Sequence, residues 1–439
     1  MTFLGIWMFP ALFVFIALGF PIAFSMLGVS LVFGYLRFGD KIIPLMVSKV
    51  NEVGSNYVLG AIPLFILMGA LLQRSGVAER LYDAVHLWTR RLPGGLAIGT
   101  VIMSTIFAAS TGVSGATETV IGLLAIPAML KHNYSKELIS GTICAGGSLG
   151  TIIPPSITVI VLAPIASLPV GSLFAGILLP GLLMASLFLA YILFISFIKP
   201  EAAPRISSAE HDGLTSADRL RITLTALLPP VALIVIVLGS ILKGWATPTE
   251  AAACGAFGCF LVGLLHGKMT FAVLKDALLR TLGVTAMIIM IVLAGNIFST
   301  VFYSAGGMQA LNSLMTSYGV SGWGAVTAIL ALTFIAGFVL DLISVILIVI
   351  PVAMPVIQHF GVDPLWFAVV FLVILQCAYL TPPMAPSIFY LRGIAPAEIT
   401  LMHMYRGVVP FIFMQVATVG LIVLFPSLAT WLPRLFYGN

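Results

Sequence analysis

Two pairs of adjacent prolines interrupt long apolar stretches of this chain of 439 residues. Pro154-Pro155 lies in the string 152–156, and Pro382-Pro383 lies in the string 380–384. Each pair removes two backbone donors and fixes two φ angles, so no regular α-helix runs through it. Inside a bilayer, the freed carbonyl groups need protein, water or an ion as a partner. Broken segments at matching places in two halves of a chain are typical of the ion and substrate sites of secondary transporters.

The composition predicts a polytopic membrane protein. The chain is 60% hydrophobic and 8% charged, against about 25% charged in soluble domains. Residues 138–198 and 281–340 contain no Lys, Arg, Asp or Glu, and each stretch is several times the roughly 20 residues that cross a bilayer. The apolar first 36 residues lack a cleavage site for a signal peptidase and are predicted to form a first membrane segment. Basic clusters flank the predicted spans, which indicates membrane orientation and not nucleic-acid binding.

The second half of the chain repeats the spacing of the first. Ser114 matches Asp341 at an offset of 227 residues (341 − 114), and Pro154 matches Pro382 at 228 (382 − 154). Steady spacing with little residue identity is what an ancient duplication leaves. We predict three parts of the chain: an N-terminal repeat at 1–199, a polar linker at 200–221 and a C-terminal repeat at 222–439.

Each repeat is predicted to be helical throughout. Residues 95–131 and 322–358 turn midway at small or polar residues, which predicts a re-entrant helical hairpin in each half. A span broken at its proline pair follows each hairpin, at 138–169 and 365–395. The expected fold class is therefore an all-α polytopic membrane protein of two inverted repeats, each with a re-entrant hairpin and a Pro-Pro-broken span.

The hairpins and breaks carry the groups that suit a sodium ion. In the first half, hydroxyl groups cluster at the turn of the hairpin: Ser110, Thr111, Ser114 and Thr117. Carbonyl groups of 150–155 lie opposite, and hydroxyl and carbonyl oxygens are ligands for a hard cation. The matching parts of the second half are Gly337 and Asp341 against 378–383, with the hydroxyl of Thr381. Two equivalent cation sites are predicted; for one cluster alone, close helix packing by small residues is the alternative.

Two isolated acids lie within these segments. Asp341 is the only formal charge between Arg280 and Asp363, and an acid at the bilayer centre costs about 2.5–3.5 kcal/mol on insertion scales. Ion coordination and helix capping at the hairpin turn remain alternatives for Asp341. Glu118 either faces a water-filled cavity, where it tunes cation or proton binding, or pairs within the hairpin without touching a ligand.

Binding of an organic anion requires positively charged groups or N–H donors, and several candidates lie after the two proline breaks. The planar guanidinium of Arg392 suits a carboxylate or a sulfonate, although an arginine at the end of a span also reaches the membrane interface. The N-termini of half-helices near residues 115, 156, 342 and 384 offer N–H groups to an anion. The predicted substrate-binding residues are Ser156, Glu118, Gln376, Met384, Ser387 and Arg392.

The sequence gives no support for an enzyme. It contains no GxSxG, HExxH or GxxxxGK[ST] motif, so neither hydrolysis nor ATP use by this chain is predicted. Its four cysteines have no metal-ligand spacing. A purely scaffolding subunit and a channel are alternatives, but duplicated broken hairpins without a ring of pore charges favour alternating access.

The chain resembles the large membrane subunit of TRAP transporters, the tripartite ATP-independent periplasmic systems, over essentially its whole length. The strings that carry the resemblance are Thr111-Gly112, Gly115-Ala116, the run 146–156, the run 247–252, the run 361–364 and Leu380-Thr381-Pro382-Pro383. The resemblance implies a bacterial inner-membrane, elevator-type carrier that uses a sodium gradient to import an organic anion. It implies two partners besides membrane lipid: a periplasmic substrate-binding protein and a small membrane subunit of about four helices. We expect that subunit on a separate chain, because nothing precedes the first span.

The resemblance also implies the ligands of two sodium ions. The first set is Thr111, Ser114, Gly150, Ile153 and Pro155, and the second is Gly337, Asp341, Ala378, Thr381 and Pro383. Many relatives have Ser-Gly-Ser-Ser where this chain has Thr-Gly-Val-Ser at 111–114, which removes one hydroxyl. The run 384–387 also departs from the family and suggests an unusual substrate. Proton coupling through Glu118 or Asp341 is the alternative to sodium.

Overall fold

The computed structural model describes residues 4–112, 114–205, 215–382 and 385–438, with the backbone alone for Ser114, Ala116, Ser216, Asn312, Leu314 and Thr316. The first half contains helices α1 (Met8–Ala17), α2 (Ile22–Phe38), α3 (Ile42–Gly54), α4 (Ala61–Arg74), α5 (Val77–Thr89), α6 (Gly95–Thr111), α7 (Ser114–Lys131), α8 (Lys136–Ser148), α9 (Ile157–Ile165) and α10 (Val170–Ile198). The second half contains α11 (Ser216–Leu242), α12 (Pro248–Leu265), α13 (Phe271–Ser304), α14 (Gly307–Ser317), α15 (Gly322–Ala336), α16 (Leu342–His359), α17 (Pro364–Leu380), α18 (Pro386–Ile394), α19 (Leu401–Leu424) and α20 (Ser427–Tyr437).

The fold class expected from the sequence is confirmed. No strand occurs in the part of the chain that is described, where short 3-10 turns join some of the helices. Eight helical stretches within that part are long and apolar enough to cross a bilayer. The division at 200–221 stays a prediction: α11 already begins at Ser216, and 206–214 lie outside the described residues.

Local sequence sets where several helices begin. Thr247 accepts a hydrogen bond from the backbone N–H of Glu250, whose carboxylate accepts from the backbone N–H of Thr247 at 2.8 Å. This capping box, with Pro248 at the first helical position, starts α12. Ser135 caps α8 and Asp363 caps α17 in the same way, so the two broken spans have equivalent starts.

The two hairpins are short helix pairs that turn back inside the protein. Between α6 and α7, Gly112 has φ +64, a left-handed conformation that glycine adopts without strain. Between α15 and α16 the chain turns at 337–340, and Asp341 is the N-cap of α16. Helices α6 to α9 begin at 95, 114, 136 and 157, and helices α15 to α18 begin at 322, 342, 364 and 386. Each helix of the second half thus begins 227 to 229 residues after its counterpart in the first half.

The helices divide into two packed groups. In one group, α13 packs on α2 and α4, and α4 packs on α12. In the other, α7 packs on α8 and α18, and α8 packs on α19. A Cβ on Gly141 of α8 would lie 2.1 Å from the carbonyl oxygen of Gly407 in α19, so these two helices touch through their backbones. Helix α16 packs on α9, α15 and α17. We call the first group the scaffold, and we call the second group, together with both hairpins and the half-helices α9 and α18, the core.

Basic residues collect at one end of the helices. Arg74 pairs with Asp276, which places the end of α4 beside the start of α13, and Lys136 pairs with Glu398 at 3.5 Å, which places the start of α8 beside the start of α19. Of the 20 Lys and Arg residues, the 15 at this basic end are Arg74, Arg80, Arg90, Arg91, Lys131, Lys136, Lys199, Arg205, Arg219, Arg221, Lys268, Lys275, Arg280, Arg392 and Arg406. The positive-inside rule predicts that the basic end faces the cytoplasm.

Candidate functional site

The first hairpin turn lies against the first proline pair. A Cβ on Gly112 would lie 2.7 Å from the carbonyl oxygen of Pro155, so only glycine allows this approach. The backbone N–H of Ile157 donates to the carbonyl of Gly112 at 3.5 Å. The hydroxyl of Thr111 donates to the carbonyl of Phe107 at 3.1 Å and is buried. The end of α6 therefore meets the start of α9, as the spacing of the sequence predicts.

The first predicted cation set is buried at this junction. Gly150, Ile153 and Pro155 are buried in the break that follows α8, beside the turn after Thr111. For Ser114 the backbone starts α7, and its side chain lies outside the described residues. Carbonyl oxygens at the ends of α6 and α8 carry partial negative charge, which a cation stabilises.

The second hairpin meets the second break in the same manner. A Cβ on Gly337 would lie 2.5 Å from the Cβ of Ala378, so the turn after α15 touches the end of α17. The hydroxyl of Thr381 donates to the carbonyl of Cys377 at 2.6 Å. Pro383 lies outside the described residues.

Asp341 is bound to its own helix. Its carboxylate accepts hydrogen bonds from the backbone N–H groups of Ile343 and Ser344 at 3.1 and 3.2 Å, and from the hydroxyl of Ser344. The contacts of Asp341 are therefore those of a helix cap, which is one of the two alternatives predicted for it. The Asp341 side chain is also exposed to a cavity. Within the described ranges, no cluster of three or more His, Cys, Asp or Glu residues can hold a metal ion. The predicted cation ligands at the two junctions are mainly backbone carbonyl and hydroxyl oxygens.

A cavity of about 450 Å³ lies between the scaffold and the two hairpins. Four core helices contribute residues from their first two turns to its wall: Gly115 and Thr119 of α7, Ile157 and Thr158 of α9, Leu342 and Ile343 of α16, and Pro386 and Tyr390 of α18. Because the N-terminus of a helix carries partial positive charge and free N–H groups, four such ends favour an anion in the cavity. The scaffold wall comes from α4 and α13 and reaches the basic end at Gln73 and Arg280.

Five of the six predicted substrate residues are described in the structure, and none of these five is on the wall of this cavity. Glu118 is completely buried and accepts a hydrogen bond from the hydroxyl of Ser387 at 2.8 Å. That hydroxyl also lies 3.3 Å from the carbonyl oxygen of Cys144. A Cβ on Gly147 would lie 1.8 Å from the Cγ of Glu118, so glycine makes the space for this side chain. Glu118 and Ser387 therefore join α7, α8 and α18 inside the core.

Three other predicted residues also have protein partners. Ser156 is buried, and its hydroxyl donates to the carbonyl of Thr151 at 2.7 Å. The amide nitrogen of Gln376 donates to the hydroxyl of Ser148 at 3.1 Å. Arg392 lies at the basic end, where it donates to the carbonyl of Ile399 at 3.2 Å. Met384 lies outside the described residues, and the substrate-binding role of all six stays a prediction.

Sequence patterns indicate Gly337 and Asp341, which do line the cavity, but they miss several other residues of its wall. Thr119, Thr158, Tyr379 and Tyr390 lie one to three positions from predicted ones, on the faces of their helices that point into the cavity. The pattern of breaks and hairpins does not indicate Arg280, because this residue belongs to α13 in the scaffold and lies far along the chain from either break. Its signal in the sequence is its place as the last charge before the uncharged stretch 281–340.

Comparison with known proteins agrees with this geometry. A family profile described as "Tripartite ATP-independent periplasmic transporter, DctM component" matches residues 9–428. The chain belongs to this TRAP transporter family. It is 31% identical to the C4-dicarboxylate TRAP transporter large permease protein DctM of Pseudomonas aeruginosa, over 93% of each chain. It is 28% identical to the isethionate TRAP transporter permease protein DctMQ of Oleidesulfovibrio alaskensis, over 97% of this chain and 65% of that protein.

A solved structure shares the fold. The crystal structure of the YdaH transporter of Alcanivorax borkumensis matches with a TM-score of 0.68, at 14% identity, over 93% of this chain and 98% of that one. Membership of the TRAP family makes the chain a multi-pass inner-membrane permease subunit for organic acids and not an enzyme. Membership also implies a small membrane subunit and a periplasmic binding protein as partners.

Proposed function

We propose that this TRAP permease uses a sodium gradient to import a small carboxylate or sulfonate that a periplasmic binding protein delivers. The observation that carries the proposal is the meeting of hairpin turns and broken spans: Gly112 against Pro155, and Gly337 against Ala378. At each meeting, helix C-termini offer carbonyl oxygens suited to sodium, and the neighbouring N-termini line a cavity suited to an anion. The names of two relatives, for a C4-dicarboxylate and for isethionate, support the substrate class.

An elevator movement of the core along the scaffold is part of the same proposal. A second cavity of about 440 Å³ lies toward the end opposite the basic one, and α13 and α16 line both cavities. Its polar wall includes Asn296 and Ser299 of α13 and Gln358 of α16. A polar cavity at each end of one helix interface supports sliding of a single site between two exposures.

The test is uptake into proteoliposomes that hold this chain with its small subunit, in the presence of its binding protein. Labelled succinate and isethionate are supplied with and without an inward sodium gradient. We expect accumulation that needs both the gradient and the binding protein. Equal accumulation with and without the sodium gradient would contradict the proposed sodium coupling.

Loss of a hydroxyl at either junction is expected to weaken sodium use. In Thr111→Val and Thr381→Val, the sodium concentration for half-maximal uptake should rise by about fivefold or more, because each loses an oxygen beside a proposed ion. Thr418→Val is the matched control, since the Thr418 hydroxyl also donates to a carbonyl four residues earlier, but in α19. Equal sodium dependence in all three variants and the wild type would contradict the proposed ligand sets.

Proton coupling through Glu118 is the second candidate, favoured by the complete burial of this acid. In a protonated Glu118, the carboxyl O–H would face the Ser387 hydroxyl, which lies 2.8 Å from one Glu118 oxygen, and that hydroxyl would then donate to the Cys144 carbonyl at 3.3 Å. An amide in its place repeats these bonds without a titratable proton. Glu118→Gln is therefore expected to keep sodium-driven uptake unchanged between pH 6 and 8 relative to wild type, within about twofold. Loss of a pH-driven flux in this variant would instead establish proton coupling.

A further inference from the structure

The scaffold wall of the 450 Å³ cavity contains one unusual residue, Arg280. It follows Asp276 by one helical turn in α13, so it lies about 6 Å deeper from the basic end along the helix axis. Val284, Met287 and Ile288 continue the same wall toward the hairpin turns. Among the described residues, Arg280 is the one Lys, Arg or His on the wall of this cavity.

Arg280 differs from the two arginines Arg74 and Arg392 in making no ion pair or hydrogen bond with the described residues. It differs from unpaired lysines such as Lys275 in lying on the cavity wall. Arg74 pairs with Asp276 at the same end, and Arg392 donates to the carbonyl of Ile399. The Arg280 guanidinium is exposed and makes no ion pair or hydrogen bond with the parts of the chain described here. Its five N–H donors are therefore free for a molecule in the cavity.

The one acid on the cavity wall does not neutralise Arg280. Asp341 turns its carboxylate to the N–H groups that start α16, and no ion pair joins it to Arg280. The same wall carries the first turns of α7, α9, α16 and α18, whose N–H groups and dipoles also attract negative charge. The cavity thus has positive groups on the core side and a free guanidinium on the scaffold side.

We propose that Arg280 binds the carboxylate or sulfonate of the transported anion while the cavity is open to the cytoplasmic end. The guanidinium fork matches the paired oxygens of either group. Since Arg280 belongs to the scaffold, it contacts the anion only where the core faces this end, and it acts as an exit-side specificity residue. This assignment deepens the proposed function, on which it rests for the identity of the cargo as an organic anion.

Direct binding tests the assignment without any flux or sodium gradient. The purified chain with its small subunit is titrated with succinate and with isethionate by equilibrium dialysis, in sodium buffer. For the anion that the wild type binds more tightly, Arg280→Gln is expected to raise the dissociation constant about tenfold or more, because it removes a charge-assisted bond. Arg280→Lys is expected to restore part of the affinity, since it keeps the charge but loses the fork.

Matched controls separate binding from folding and from general charge. Lys275→Gln removes a positive charge from the same helix end without touching the cavity wall, and it should bind as the wild type does. Thermal unfolding of each purified complex reports whether the variant is folded. Equal affinity of Arg280→Gln and wild type overturns the assignment, as does a wild type that binds neither anion. If anion binding depends on Arg280 but uptake does not depend on sodium, the role assigned to Arg280 is supported and only the proposed sodium coupling is overturned.

Discussion

Gly295→Leu is expected to stop uptake while the complex stays folded. Gly295 of α13 lies against α16, and a Cβ there would lie 2.7 Å from the Cβ of Leu347. This contact joins α13 of the scaffold to α16 of the core on the wall of the 440 Å³ cavity, where the proposed sliding of the core needs a smooth interface. Overpacking such a contact costs about 1–3 kcal/mol, so uptake should fall about tenfold or more.

A complementary pair of substitutions tests this explanation. Leu347→Ala removes the side-chain atoms that meet the new leucine, so Gly295→Leu combined with Leu347→Ala should regain part of the uptake. Gly283→Leu on the same helix is the control, because no heavy atom lies within 4 Å of a Cβ at that position. If Gly295→Leu imports at the wild-type rate, the contact is not part of the moving interface.

Gly147→Ala is expected to destabilise the whole complex. The added Cβ would lie 1.8 Å from the Cγ of Glu118 and 2.9 Å from its Cδ, deep in the packing of α7 on α8. Neither helix can retreat easily, because Gly141 holds α8 against the backbone of Gly407 on its other side. The expected loss is about 3 kcal/mol or more, seen as a lower midpoint of thermal unfolding.

Shortening Glu118 should relieve that clash. In Gly147→Ala combined with Glu118→Ala, the Cγ and Cδ atoms are gone and only the Cβ at 3.0 Å remains close. The double variant should therefore unfold at a higher temperature than Gly147→Ala alone, despite losing the bond to Ser387. Gly239→Ala, where a Cβ meets nothing within 4 Å, should leave the midpoint near that of the wild type. A double variant less stable than Gly147→Ala would show that the hydrogen bond matters more than the space.

Local chemistry explains why so much of the fold was readable from the sequence. Proline pairs, cap residues and the turn glycine act within a few residues, so the positions of both breaks and both hairpin turns followed from spacing. The constant offset of about 228 residues between the two repeats then gave the positions of the second break and hairpin turn from those of the first. These features need no knowledge of which helices pack together.

Tertiary packing explains what was missed. Glu118 meets Ser387, a partner 269 residues away, and nothing in either local pattern indicates that contact. Ser156 was predicted to face substrate, yet its hydroxyl bonds to Thr151 and Thr158 lines the cavity instead. The phase of a helix that restarts after a break is not set by the sequence before it. Arg280 enters the cavity through the docking of α13, which only the assembled fold reveals.

The breaks after α8 and α17 have a consequence for how such a protein can change. Main-chain carbonyl groups lie at both junctions, and every residue type carries such a group. Side-chain replacement at Thr158, Tyr379 or Tyr390 can therefore alter the shape of the cavity while the oxygen atoms at the junctions remain. Selectivity for cargo and capture of the driving ion are chemically separable in this architecture. An alanine scan will accordingly report cargo selectivity along the cavity wall, but it will report ion capture only at ligands with a side-chain oxygen, such as Thr111 and Thr381.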